Sequence, residues 1–383
     1  METRVITTFD EFLKLEVPWG ELHRATNGSI FQLHDWLALW WKTYGVGRTL
    51  SIQTFWSDGL LVGIIPGFLE KIRVGPISLR RMSLLGEEET YGEYHPLTAP
   101  EFTEAVAQPA AAYWIREFEH GHVDVLDFHG FPPGSEFMEA LIVRLRVGAR
   151  VRLVKENLVH TVVQGPTTGE EYMMSMSGRR RQGLRRDERL LKKAGAEIEV
   201  VKEWGEGKPF DDLVRLHEAR WMQEGQTGRF GSPRFTGFIR DVTERLMGEG
   251  KASIYFMRSG SERVAGLLRF DVNRQMCPYL VGRDPDHDLM RYSVGEVLLM
   301  RASVDAFDEG SLLCDLLGGD YHHKHYKGMT KLWYARATVA PAGIRGAKGR
   351  MYLGTLATRD ALVRLREKSR RSQFDNREEP EVS

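Results

Sequence analysis

The alternation of apolar and polar positions is clearest between Lys251 and about Ala340. Three runs, Ser253 to Met257, Val264 to Asp271 and Met276 to Gly282, are separated by the polar turns Arg258 to Glu262 and Asn273-Arg274, which predicts an antiparallel meander. Beyond it, Val297, Met300, Val304 and Phe307 recur at three- and four-residue steps and mark one face of a helix. Gly310 stops that helix, and Leu312 to Leu317 reads as a short buried strand. The predicted order is three antiparallel strands, a sharp loop, a helix, and a strand parallel to the third. A helix that starts at a sheet edge presents backbone N–H groups without partners, so Arg291 to Glu296 is a candidate anion site.

The first half follows a similar plan. A helical run with Phe9, Phe12, Leu13 and Leu15 precedes a second helix after Asn27-Gly-Ser, which carries Trp36, Leu37, Trp40, Trp41 and Tyr44 and ends at Gly45. Its tryptophans fit an aromatic ligand cage or a core helix, and their helical spacing favours the core. Leu50 to Phe55 and Leu60 to Phe68 flank an Asp58-Gly59 hairpin signal. A loop with Gly86 and Tyr91 to His95 follows, then a helix (Glu101 to about His120), a strand (Val123 to Phe128), a helix (about Ser135 to Val147) and strands near Val151 to Val154 and Val159 to Val163. We read this as a repeat of topology, since residue-by-residue similarity between the halves is weak. Leu332 to Val339 predicts a last strand, Thr355 to about Lys368 a short helix, and Ser369 to Ser383 a charged, disordered end.

At 383 residues the chain has room for two cores, and 42% hydrophobic and 28% charged residues are ordinary for a globular protein. Lys plus Arg (53) cancels Asp plus Glu (53), so no overall basic field argues for DNA. Cys277 and Cys314 both fall in predicted strands and read as core residues of a reduced protein. The N-terminus offers no signal-peptide core, and the longest apolar run, Leu60 to Leu69, is too short to span a bilayer. These features predict a cytoplasmic protein.

The strongest charge feature lies between the halves. Gly178 to Lys193 carries Arg179, Arg180, Arg181, Arg185, Arg186, Arg189, Lys192 and Lys193 against Asp187 and Glu188. As a helix it turns Leu184, Leu190 and Leu191 inward. Its basic face is either an ordinary solvated surface or a positive wall beside a phosphate-bearing ligand, a nucleotide or an RNA backbone. Farther on, Phe210, Leu213, Val214, His217 and Trp221 share a helix face, and the glycine-rich Gln223 to Gly231 is a connector or a mobile cover.

Ser293 and Glu296 fit a capping box, which leaves Gly295 and Arg291 unexplained. Glycine weakens a helix unless something must approach the backbone closely. A pyrophosphate on the N–H groups of Val294, Gly295 and Glu296, with Arg291 adding charge, accounts for both.

These residues, together with Trp36-x-x-x-Trp40, Pro66 ending the second strand, the Gly86 loop, Arg179-Arg-Arg-x-x-Leu-Arg-Arg186, Arg220-Trp221, Ser293-Val-Gly295 and Gly319-Asp320-x-x-x-Lys324, form a recognisable set. The chain resembles the GNAT (Gcn5-related) N-acetyltransferases, and more narrowly the two-lobed "BioF2-like" cellulose-biosynthesis acetyltransferases related to FemABX. Val294 departs from the proline usual at that position. The resemblance implies an α/β (mixed α+β) fold of tandem GNAT-like lobes, each a mixed, mostly antiparallel sheet flanked by helices. We place an acceptor-side lobe at 1–165, a CoA-binding lobe at 166–350 and a helix with charged tail at 351–383. Pantetheine would lie between Met276 to Gly282 and Leu312 to Leu317, with the acyl-CoA pyrophosphate on Arg291, Ser293, Val294, Gly295 and Glu296. Acetyl-CoA or another acyl-CoA is the implied co-substrate, attacked directly by an amine or hydroxyl, with no metal.

A base must keep the amine neutral, and an acid can protonate the leaving thiolate. The polar cluster Asp320, Tyr321, His322, His323, Lys324, His325 and Tyr326 supplies candidates. The resemblance lands on Asp320 and Lys324, with Tyr326 as the acid; Lys324 alternatively orients a carboxylate or phosphate. Tyr94, His95 and Trp221 are the expected acceptor-lining residues. The acceptor is a small molecule, glycan or peptide. An aminoacyl-tRNA-dependent transfer is the alternative enzyme, with tRNA on the basic helix, and a non-catalytic accessory of polysaccharide synthesis is the third reading.

Overall fold

The computed structural model describes residues 1–86, 88–90, 96–132, 134–223, 225–318, 329–343 and 346–358. The first half runs β1 (Glu2–Ile6), α1 (Phe9–Leu13), α2 (Glu16–Ala25), α3 (His34–Tyr44), β2 (Thr49–Ser57), β3 (Leu60–Val74), β4 (Ile77–Leu84), β5 (Leu97–Thr98), α4 (Thr103–Glu119), β6 (Val125–Phe131), α5 (Glu136–Leu145) and β7 (Ala149–Gln164). The second runs α6 (Gly169–Ser175), α7 (Gly178–Lys193), β8 (Ala196–Val201), α8 (Lys208–Gln223), α9 (Pro233–Gly248), β9 (Ala252–Ser259), β10 (Glu262–Val272), β11 (Gln275–Arg283), α10 (Val294–Asp308), β12 (Leu313–Gly318) and β13 (Met329–Pro341).

All of these strands join one sheet, in the order β1-β2-β3-β4-β6-β13-β7-β12-β11-β10-β9-β8, with β5 beside β3. The order is palindromic in plan. Strand β4 runs parallel to β6, and β11 parallel to β12. Each of these units is then closed by a strand from the other half. Strand β13 pairs antiparallel with β6, β7 pairs antiparallel with β12, and the two exchanged strands pair with each other along 149–163 and 329–341.

The hairpin turns form where the pattern places them. Asp58 and Gly59 sit at φ 50° and 79°, and Asn273 and Arg274 at φ 48° and 60°, the left-handed backbone that a two-residue turn between twisted strands requires. Trp36 and Trp40 are fully buried, which settles them as core. Trp36 meets Phe238 of α9 edge-on at 5.1 Å and Tyr279 of β11 at 5.6 Å, so one apolar core spans both halves.

Four expectations need correction. The two strands expected within 151–163 are one continuous β7, because its partner β13 is equally long. Pro66 does not end its strand. It lies opposite Ile52 and β3 continues to Val74, where it pairs with the unforeseen β4. Leu190 is exposed, and the third inward position of α7 is Asp187. The Ser293–Glu296 capping box does not form, since both side chains are drawn to α7. Residues 347–358 are helical, and most of the helix expected from Thr355 to Lys368 lies outside the described residues. No helix of the described residues is long and apolar enough to cross a membrane.

His23 fastens α2 to the β10–β11 turn. One ring nitrogen lies 2.8 Å from the Ser29 carbonyl oxygen, while Nδ1 accepts from the Asn273 amide at 3.1 Å. Burial pushes this imidazole down from 6.5 to about 4. Between those values the unfolded chain takes up the proton and the folded chain does not, so stability is complete above about 6.5 and falls as pH drops towards about 4. Urea titrations should show a loss of up to roughly 3 kcal/mol across that window, and His23→Gln should flatten the dependence.

Candidate active site

The site is organised by a wedge in the sheet. Strands β11 and β12 are paired only at Gln275↔Leu313 and Met276↔Cys314. Strand β12 is paired with β7 from Leu313 onwards and past Cys314 keeps only that neighbour, while β11 continues to Arg283 beside β10. Two irregularities shape the walls. Strand β11 carries one extra residue opposite Leu268 and Arg269, which falls at Tyr279. Strand β12 has a register shift between Asp315 and Gly318, where Leu317 adopts φ 60°, a conformation that costs a non-glycine residue free energy.

Helix α10 begins above the wedge, after a 3-10 turn at Asp288–Arg291. In its first turn the Val294 N–H bonds the Tyr292 carbonyl at 2.7 Å and the Glu296 N–H bonds the Ser293 carbonyl at 3.0 Å. The Gly295 N–H has no acceptor among the described residues. A Cβ at Gly295 would meet nothing nearer than Val281 Cγ1 at 4.0 Å, so packing does not demand glycine there. An unengaged N–H with space beside it at a helix N-terminus is a place where an anion can be received. Arg291 is exposed, its guanidinium 5.1 Å from the Tyr292 ring. Arg283, which the sequence reading missed, ends β11 with its Nε shielded from solvent and without a hydrogen-bond partner.

Helix α7 braces this turn. Arg180 pairs with the Glu296 carboxylate, Arg301 with Glu188 at 2.7 Å, and Asp187 accepts from the Ser293 N–H at 3.4 Å. Although burial opposes it, hydrogen bonds from Ser293 and Arg186 hold the Asp187 carboxyl below its ordinary range. The basic helix is thus divided in use. Arg181 is spent on the carbonyls of Met173 and Met176, whereas Arg179, Arg185, Arg186, Arg189, Lys192 and Lys193 are exposed.

On the other face of the wedge, α8 lies against β11 so closely that a Cβ at Gly282 would sit 2.4 Å from the His217 nitrogen. His217 accepts at Nε2 from the Trp221 indole N–H (3.0 Å), which leaves Nδ1 as the donor to Glu218 (3.3 Å). Burial lowers the His217 pKa, in keeping with that neutral tautomer. Trp221 is half-buried in the last turn of α8, with Arg220 at 5.4 Å from its ring. The Tyr279 hydroxyl donates to the Thr90 carbonyl at 2.6 Å, so the first-half loop reaches the wedge immediately before Tyr91. Tyr94, His95, Asp320, Lys324 and Tyr326 lie outside the described residues. The structure therefore gathers Arg291, Ser293, Val294, Gly295 and Glu296 at one turn and sets Trp221 apart on α8.

The comparisons with known proteins fit this geometry. Residues 178–325 match the family model of an acetyltransferase (GNAT) domain. FemX shares the fold at a TM-score of 0.58 with 12% identity, over 87% of this chain and 97% of that one. A conserved protein of unknown function from Bacteroides thetaiotaomicron does so at 0.51 with 9% identity, over 88% of this chain and 100% of that one. Over residues 178–325 the chain is thus similar to the GNAT domain, and as a whole it shares the fold of FemX. No curated protein sequence matches the chain. The stretch that matches the acetyltransferase model starts at α7 and takes in the wedge and α10.

Because Asp187 replaces the capping box, Asp187→Ala should destabilise the fold by about 1–2 kcal/mol in denaturant titrations, while Ser293→Ala should cost less.

Proposed function

We propose that this protein is an acyl-CoA-dependent acyltransferase, with the nucleotide end of acyl-CoA on the α10 turn and the acceptor bound between the lobes. The observation that carries the reading is the combination of a wedge between β11 and β12 with an unengaged Gly295 N–H and open space above it. An extended pantetheine arm carries amides, and two diverging strand edges are the surface on which such a chain can bond as a strand would. The pyrophosphate then meets the α10 N-terminus, with Arg283 and Arg291 as flanking cations; Arg180 offsets the Glu296 carboxylate that would otherwise repel it.

In the reaction the acceptor nitrogen or oxygen attacks the thioester carbon, the C–S bond breaks, and the thiol leaves as the acceptor's proton is removed. Asp320, Lys324 and Tyr326 remain the groups we assign to proton transfer, and Tyr94, His95 and Trp221 those we assign to the acceptor. The 1–165 lobe is the acceptor side and 166–350 the CoA side. Acetyl is the simplest acyl group for the site, and a small molecule, a glycan or a peptide the acceptor class.

The alternative is an aminoacyl-tRNA-dependent transfer, favoured by the exposed arginines and lysines along α7. Calorimetric titration with acetyl-CoA and longer acyl-CoAs separates the two. Saturable binding weakened at least ~10-fold, about 1.4 kcal/mol, by a Gly295→Trp variant that melts like the wild type supports the acyl-CoA reading. Absence of binding to any acyl-CoA, with aminoacyl-tRNA retained on the basic helix, would replace it.

A further inference from the structure

The palindromic sheet provides an internal comparison. Asp127 occupies the third position of β6 and Asp315 the third position of β12. Asp127 lies opposite Thr338 of β13, and Asp315 opposite Val162 of β7. Two residues before each cross-strand partner stands a basic side chain that reaches back to the carboxylate. In the first unit it is Arg336, whose Nε donates to Asp127 Oδ1 at 2.7 Å. In the second it is His160, whose Nδ1 lies 2.9 Å from Asp315 Oδ2.

The two pairs are built to different ends. Asp127 is fully buried and also bonded by Arg81 (3.2 Å), Tyr352 (3.3 Å) and Thr338 (3.3 Å), so it is a saturated ion pair around a guanidinium that does not give up its proton. Asp315 instead takes the Leu317 N–H at 2.8 Å on one oxygen and the imidazole on the other. A carboxylate at Nδ1 fixes the proton on that nitrogen, leaves Nε2 with the lone pair, and stabilises the ring once it is charged. His160 is fully buried, with the Tyr334 ring 4.5 Å away. Its partner Asp315 stands where β12 leaves β11, at the wedge. Of these two equivalent pairs, the one beside the wedge is the one that can exchange a proton.

We propose that His160 and Asp315 are the proton sink of the acyl transfer, one step removed from the reacting atoms, so that a strand of the first lobe completes the centre of the second. The proposal rests on the acyltransferase reading. The acceptor amine forms its bond to the thioester carbon as the C–S bond breaks. The proton it sheds passes, through the group that touches the acceptor, to His160 Nε2, and Asp315 holds the resulting imidazolium. The proton then goes on to the departing thiolate, which leaves as thiol. His160 and Asp315 are positioning and proton-holding residues in this scheme; the group touching the acceptor is separate.

The test uses the full chain in two measurements. Nitrogen-15 NMR of the histidine rings, with His160 assigned by His160→Gln, should show the Nδ1–H tautomer, and Asp315→Asn should disturb it. The opposite tautomer, or a ring indifferent to Asp315→Asn, would overturn the pair whatever the turnover. Thiol release from acetyl-CoA over an amine array should then show kcat at least ~100-fold lower in His160→Gln, with KM for acetyl-CoA within about twofold. Unchanged kcat sinks the proton sink alone. A wild-type chain that binds no acyl-CoA sinks the acyltransferase reading, and the proposal with it, while the tautomer still reports whether the pair exists.

Discussion

The exchange of β7 and β13 is the constraint on which the rest of the molecule depends. Each half supplies a parallel βαβ unit, and neither closes it with its own last strand. Strand β12 pairs with β11 on one edge for only two residue pairs, while its other edge stays with β7 as far as Gly318. The wedge thus opens beside the strand that joins the second half to the exchanged β7. The same exchange carries the Asp127–Arg336 and Asp315–His160 contacts across chain separations of 209 and 155 residues.

Helix α10 sits over that wedge with its first turn partly committed and partly open. Tyr292 and Ser293, just before it, satisfy the Val294 and Glu296 amides, and α7 takes the Ser293 amide and the Glu296 carboxylate. What remains is the Gly295 N–H, with space beside it. A buried arginine network steadies the far end of the helix. Arg269 donates to Tyr255 at 2.8 Å, to the Ala302 carbonyl at 3.2 Å and to Glu309 at 2.5 Å. A helix pinned at its C-terminal half presents its N-terminus in one place, and an anion site needs that preorganisation.

Much of this was legible in the residue pattern where the physics is local. Asp58-Gly59 and Asn273-Arg274 specify their turns through backbone conformation alone, and the β11–α10–β12 order follows from a change of apolar period from two to near 3.6. The tryptophans of α3 read as core for the same reason. Tertiary partners overrode the rest. Ser293 and Glu296 satisfy the local rule for a cap, yet Asp187 and Arg180, more than a hundred residues earlier, win both side chains. Arg80 and Arg81 hid β4 by breaking its apolar run, although Arg81 is held by Glu70 and Asp127. Nothing in the composition of β13 says which neighbours it takes, because the same alternation suits either side of β7. His160 was passed over because it is an isolated histidine in an apolar run, and its meaning comes only from the aspartate facing it.

The exchanged strands also set an order of assembly. Strand β6 finds its neighbour only when residues 335–339 are present, some two hundred positions later. As the chain grows from its N-terminus, the first unit must wait with the β13 edge of β6 unpaired until the second unit has been made. Its closure and that of its partner then share one event, since β7 and β13 pair along their length. Two lobes that repeat each other in plan thus cannot mature one after the other, and loss of the last strand would leave both incomplete.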